Sequence, residues 1–225
     1  MSLKLAVWDL DGTVIDSREM IQAAMVFAFE KSGFRTPDFD ETRKIVGLSL
    51  KTAIEYMLPE ADPNAIQRVY EDYKTGFVAL RSNPDLKEPL YDGAIELLQD
   101  MVADGWLMGV ATGKSRQGLS HILQMHDLEK YFDTHWCADD GPGKPHPHMV
   151  QKNMDELGCF AEQTVMIGDA TFDMQMARAA NVHALGVSWG FGKAEELIEA
   201  GAHDVHHDFA GLRKGLYAFG DKVTS

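Results

Sequence analysis

From Leu90 onward the chain alternates between short apolar runs and amphipathic stretches, and that alternation restricts the fold more than any other feature. Residues 107–111, 132–137, 164–167 and 182–187 read as buried strands, with 204–206 as a short last one. Helical stripes lie between them. Asp92 is placed to cap a helix through Ile95, Leu98 and Met101, which Gly105 ends. Further helices are expected around Leu119, Ile122 and Leu123, and over residues 149–157, 174–180 and 194–200. Near the start, residues 5–9 add a first strand. Strands joined through helices are the mark of an α/β fold with a doubly wound parallel sheet.

The segment between the first strand and the rest has a different texture. Met20, Ile21, Ala24, Met25, Phe27, Ala28 and Phe29 fit a helical stripe, and Gly33 stops it. Ser49 is placed to cap a helix over 50–58, and residues 59–63 interrupt the pattern. Ile66, Val69, Tyr70, Tyr73, Phe77 and Leu80 then resume helical spacing. No strand is expected between 16 and 84, and Asn83-Pro84 closes the block. The domain assignment is therefore residues 1–15 with 85–225 as the α/β core, and 16–84 as an inserted all-helical unit. Hinges are expected near Asp16–Ser17 and Asn83–Pro84.

Composition bounds the function. The 225 residues are 45% hydrophobic, enough for a substantial core. A formal net charge of -14 argues against nucleic acid or an anionic membrane as partner. An anionic substrate would then need cations gathered locally. The two cysteines, Cys137 and Cys159, most simply fit buried or surface thiols in a reducing compartment, with a single disulfide as the alternative. No apolar run approaches the roughly 20 residues that span a bilayer, and no signal-peptide pattern opens the chain. A cytoplasmic protein is expected.

Ligands of a doubly wound sheet bind beyond the carboxyl ends of its strands. Four polar clusters stand at such ends or in nearby loops: Asp9 with Asp11, Thr112-Gly113-Lys114, Lys144, and Asp169 with Asp173. Each alone has an ordinary explanation. Two acids can make a surface turn, Lys144 can be a loop lysine, Thr112 can cap the next helix, and Asp169 and Asp173 can favour a helix start. Together they put carboxylates and a cation on one rim. Lys114 reads as solvated or near the rim, and His146-Pro147-His148 as surface packing.

Asp9-Leu10-Asp11-Gly12-Thr13, Thr112-Gly113, Lys144-Pro145 and Gly168-Asp169-Ala170-Thr171-Phe172-Asp173 resemble, in order, the four motifs of the haloacid dehalogenase-like (HAD) hydrolase superfamily. The resemblance spans nearly the whole chain and is nearest to the phosphoglycolate phosphatase-like and phosphoglucomutase-like branch. It implies a Rossmann-like core with the helical insertion as a cap. Asp9 would be the nucleophile that forms an aspartyl-phosphate, and Asp11 the acid and base. Thr112 and Gly113 would hold phosphoryl oxygens, and Lys144 would pair with nucleophile and phosphate. Asp9, the Asp11 carbonyl and Asp169 would bind Mg²⁺, with Asp173 in support.

The physics suits these roles. A carboxylate attacking a phosphate dianion needs the repulsion cancelled, and Mg²⁺ with a lysine supplies that charge. The resemblance implies a phosphatase for a small phosphorylated metabolite, with 2-phosphoglycolate the leading substrate, and a monomer or homodimer. A sugar phosphomutase is the alternative, although Gly47-Leu48-Ser49-Leu50 lacks the basic residue that related mutases carry just after the glycine. A dehalogenase is disfavoured because Asp11 is present, and a non-catalytic binding protein because no motif residue is missing. Arg43, Lys44 and Lys51, near the Gly47 loop, are the candidate cap contacts to substrate.

Overall fold

The computed structural model describes residues 3–224. Six strands form one all-parallel sheet: β1 (Leu5–Trp8), β2 (Leu107–Thr112), β3 (Thr134–Cys137), β4 (Thr164–Gly168), β5 (His183–Val187) and β6 (Asp204–His206). Their order is β3-β2-β1-β4-β5-β6, so the first strand is central. The chain winds outward from β1 in one direction and, after returning at β4, in the other. The switch of direction lies between β1 and β4, where a doubly wound sheet opens a crevice.

β1 is buried on both faces, as its continuous apolar run requires. Ala6 and Trp8 join one core cluster and Leu5 and Val7 the other, following the two-residue period of a strand. On the first side lie α5 (Ala94–Ala103), α6 (Arg116–Met125) and α10 (Phe209–Thr224); on the second lie α7 (His148–Leu157), α8 (Thr171–Ala179) and α9 (Ala194–Glu199). The register pairs Trp8 with both Val110 and Ile167, so the residues just after β1, β2 and β4 emerge on one rim.

The insertion is helical: α1 (Arg18–Lys31), α2 (Phe39–Arg43), α3 (Leu50–Met57) and α4 (Pro63–Leu80). Asp38, Ser49 and Asp62 each accept a backbone N–H at a helix start, which is why short polar residues stand there. These helices bury their own cluster, with Met25, Ala28, Phe29, Ile54 and Val69 almost fully enclosed. Phe191 reaches that cluster from the α/β side. The two crossings between the units run side by side, with Ile15 bridged to Leu90 antiparallel and the Asp16 N–H donating to the Pro89 carbonyl at 2.8 Å.

Two local expectations are corrected. Asp92 does not cap α5; Gly93, at φ 88°, occupies the N-cap and no side chain caps it. The helix after β2 is capped by Ser115, whose hydroxyl accepts from the Gly118 N–H at 3.2 Å, which leaves Thr112 free of that duty. Helix α10 has no counterpart among the expected elements. Leu212, Leu216 and Phe219 form its buried stripe, but Gly211, Gly215 and Gly220 lower its helix propensity, so packing rather than propensity holds it.

Candidate active site

The rim gathers what the sequence scatters. Asp9 leaves β1 with its N–H donated to the Ile167 carbonyl at 2.9 Å, and the residue is 1% exposed. Lys144, from the loop before α7, is 3% exposed, with Nζ 2.8 Å from Asp9 Oδ1 and 2.7 Å from Asp173 Oδ1. These are close ion pairs rather than aligned hydrogen bonds. Asp173 also accepts from the Ala170 N–H at 3.0 Å, so one carboxylate closes the first turn of α8 and holds the lysine.

Asp169, just after β4, is completely buried. The Thr13 hydroxyl donates to its Oδ1 at 2.9 Å, and the Phe191 N–H donates to its Oδ2 at 2.7 Å. Gly12 is required beside it. Its φ is +80°, and a Cβ there would stand 2.1 Å from Asp169 Oδ2. The segment 189–192 completes the grip, since the Trp189 indole donates to the Thr13 carbonyl at 3.0 Å and the Gly192 N–H to the Asp169 carbonyl at 3.0 Å. The sequence reading has no signal for this segment beyond its two glycines and two aromatics.

Ligand atoms of Asp9, Asp169 and Asp173 lie within 4.8 Å of one another. Three buried carboxylates face one ammonium, an excess of negative charge that a divalent cation would cancel. The effect is visible in the protonation equilibria. Burial pushes Asp9 up to about 7, with the Asp173 and Asp11 charges adding to the rise and Lys144 opposing it. Burial, then the charges of Asp9 and Asp173, hold Asp169 well above the carboxylate range. Burial works against the Lys144 ammonium, but Asp173 and Asp9 outweigh it and raise its pKa. The donors are all carboxylate oxygens, which suits a hard divalent cation. The residues therefore fit a metal of that class.

Asp11 is 9% exposed and its carboxylate is paired with Lys114 Nζ at 2.8 Å. Of the two places its sequence context allowed, in solvent or near the rim, Lys114 takes the second. Its side chain is enclosed, and it also lies 3.6 Å from the buried Glu88 on the returning linker. Burial opposes its charge, but Asp11 and Glu88 prevail and its pKa is raised. Thr112 is fully buried at the end of β2, its hydroxyl accepting from the Lys114 N–H at 3.3 Å. At Gly113 the insertion comes down on the core, because a Cβ there would meet the Gly47 carbonyl oxygen at 2.6 Å and that of Leu48 at 2.7 Å.

A cavity of about 350 Å³ opens above Asp9 and Asp11, between this rim and helices α1, α3 and α4. Of the cations placed near the Gly47 loop, Lys51 lines it. Arg43 is 8% exposed and turned to the other side, its guanidinium bonded to Glu196 of α9 at 2.8 and 3.0 Å and to Asp40 at 2.6 Å. Lys44 is exposed and paired with Asp40 at 2.9 Å. His146 is exposed, and His148 packs edge-on against Trp136.

A parallel sheet with an inserted helical unit, and buried acids with a lysine at the ends of β1 and β4, define a class of hydrolase. The sequence pattern of that class, described as haloacid dehalogenase-like hydrolase, matches residues 6–187, and the chain belongs to this family. Among curated relatives, "Probable phosphatase IndB" from Dickeya dadantii is 32% identical over 199 residues, covering 87% of this chain and 86% of its own. A phosphoglycolate phosphatase from Agrobacterium fabrum is 28% identical over 221 residues, covering 95% of this chain and 92% of its own. The crystal structure of "a predicted phosphatase from Clostridium acetobutylicum" superposes with a TM-score of 0.85 at 26% identity, covering 97% of this chain and 100% of that one. The two cysteines are free and buried, and among the described residues no helix is long and apolar enough to cross a membrane.

Proposed function

We propose that the chain is a Mg²⁺-dependent phosphatase that hydrolyses a small phosphomonoester through an aspartyl-phosphate on Asp9. One observation carries the reading. Asp9 is buried at the end of the central strand, ion-paired to a buried lysine and flanked by two further carboxylates that, among the described residues, have no partner cation beyond that lysine. Asp9, Asp169 and the Asp11 carbonyl would hold Mg²⁺, with Asp173 beside them. The ion would supply positive charge against the phosphoryl oxygens.

The chain's own residues do the rest. An Asp9 carboxylate oxygen attacks phosphorus, and the bond from phosphorus to the alcohol oxygen breaks. Asp11 gives that oxygen a proton. Asp11 then takes a proton from a water molecule, whose oxygen attacks phosphorus and releases Asp9. Splitting one hydrolysis into two displacements is nucleophilic catalysis, and Asp11 serves each half in turn. Lys144 stays against the nucleophile and the transferring group throughout, where a fixed charge costs no reorganisation. The Thr112 hydroxyl and the Gly113 backbone orient the phosphoryl oxygens. The insertion covers the site and limits water.

The test is phosphate release from a panel of metabolite phosphomonoesters with Mg²⁺, 2-phosphoglycolate included. Release is expected with Mg²⁺ and not with EDTA. Asp9→Asn is expected to lose roughly three orders of magnitude or more in kcat. Undiminished release by Asp9→Asn contradicts the mechanism.

A further inference from the structure

The cavity above Asp9 has more room, and a different lining, than a two-carbon phosphate needs. Its volume, about 350 Å³, falls in the range of about 300–1,000 Å³ typical of sites for molecules with a substantial organic body. The walls away from the rim are Ile21 and Met25 of α1, Val46 and Leu48 of the Gly47 loop, and Tyr73 and Phe77 of α4. The two rings are four residues apart on one helix face, with centroids 5.7 Å apart and planes tilted by 34°. They sit in the stripe that periodicity assigns to the core, and they do pack against the helical cluster, yet neither is fully covered and both line the cavity.

Polar groups on the same wall narrow the choice further. Lys51, Lys74 and Arg81 line the cavity, and none enters an ion pair among the described residues. In a chain of net charge -14 these are three cations without a carboxylate at ion-pair distance, in a cavity whose rim carries Asp9, Asp11 and Asp139. Arg81 lies over the Phe77 ring at 5.1 Å, and its Nε is buried with no hydrogen-bond partner. Lys74 lies over the Tyr70 ring at 5.1 Å. A buried donor without an acceptor is costly, and an alkyl chain in this cavity would leave it so. A planar ring carrying nitrogen or oxygen acceptors meets both demands. It packs offset or edge-on against Tyr73 and Phe77, and it offers acceptors to Arg81 and Lys51.

We infer that the preferred substrates are phosphomonoesters whose leaving alcohol carries a heteroaromatic ring, such as a nucleoside or a pyridoxyl group, with Tyr73, Phe77 and Arg81 as the residues that select it. This rests on the phosphatase reading for the chemistry at Asp9, and the ring site itself is separable from it by binding. The catalytic rim holds the phosphate, and α4 holds the ring on the far side of the cavity. The specificity determinant then belongs to the inserted unit and not to the α/β core.

The test measures binding of nucleoside 5′-monophosphates, pyridoxal 5′-phosphate, glycerol 3-phosphate and 2-phosphoglycolate to Asp9→Asn by calorimetry with Mg²⁺, and turnover of the same esters by the unsubstituted chain. At least one ring-bearing ester is expected to bind with a Kd about tenfold or more below the two aliphatic ones, and to show the same advantage in kcat/KM. Adding Phe77→Leu, which keeps apolar volume and removes the ring, should erase most of that advantage in both measurements; a thermal melt checks that the variant is folded. Aliphatic esters that bind and turn over as well as every ring-bearing one overturn the inference. So does a ring advantage that Phe77→Leu leaves intact. Ring-selective binding without any turnover would instead contradict the phosphatase reading and leave the ring site standing.

Discussion

Asp9 is asked to be an anion in a place that resists one. Burial pushes its pKa up to about 7, and Lys144 only partly offsets the desolvation and the neighbouring carboxylates. A cation bound at Asp9 and Asp169 needs both ionised, so binding must displace the protons that burial favours on them. Metal affinity therefore falls as pH drops below 7. Between pH 8 and pH 6 the Mg²⁺ affinity should weaken about tenfold if one proton is displaced. Calorimetry at pH 6.5 in two buffers of different ionisation enthalpy should show proton release; pH-independent affinity with no release would contradict the assignment. The acids themselves are legible in sequence, because polar residues at the ends of apolar runs in a doubly wound pattern converge on one rim. Their supports are not. Nothing local marks Phe191 as the donor to Asp169, since that contact depends on where the loop after β5 lands.

At the scale of elements, helices α2 and α9 are joined by one charged contact. Arg43 of α2 donates twice to Glu196 of α9, and also to Asp40 on its own helix. Position beside the Gly47 loop makes Arg43 a candidate for substrate; in the folded chain its guanidinium is occupied in holding the insertion to the α/β core. The Arg43 hydrogen bonds hold the Glu196 carboxyl below its ordinary value near 4.5. A depressed carboxylate contributes stability above its unfolded pKa, and that contribution fades as pH falls through the lower folded value. Arg43→Met should therefore destabilise the chain at pH 7 by about 1 kcal/mol, a modest figure because Glu196 is partly in solvent. The difference in denaturant midpoint between Arg43→Met and the parent should shrink below pH 4.5. A difference that persists unchanged at pH 3 would show that packing, not charge, is what the arginine supplies. Helix α4 teaches the complementary lesson. The period of Tyr70, Tyr73 and Phe77 shows which face turns inward, but not that a cavity lies along part of that face. Helix α10 shows the limit of periodicity in another way, since its glycines thin a stripe that tertiary contacts complete.

At the scale of the whole molecule, labour is divided between two units. In the proposed mechanism the α/β core would carry the reacting groups, because its topology brings the ends of β1, β2 and β4 to one rim. The helical insertion roofs them, and its two linkers run side by side at Ile15 and Leu90. Lys114 ties the parts together, reaching Asp11 on the rim, Glu88 on the returning linker and the Phe77 ring of α4 at 5.9 Å. The layered architecture and the insertion point are visible in the order of apolar runs. The coupling through Lys114 is not, because its neighbours come from three distant segments. The proposed mechanism stands on covalent phosphorylation of Asp9 during turnover. Acid quenching within a single turnover, followed by mass spectrometry of the peptide that carries Asp9, tests it most directly. A phosphoryl adduct on Asp9, absent from Asp9→Asn and from protein quenched in EDTA, is expected; steady turnover with no adduct on that peptide, or an adduct on another residue, would contradict the mechanism.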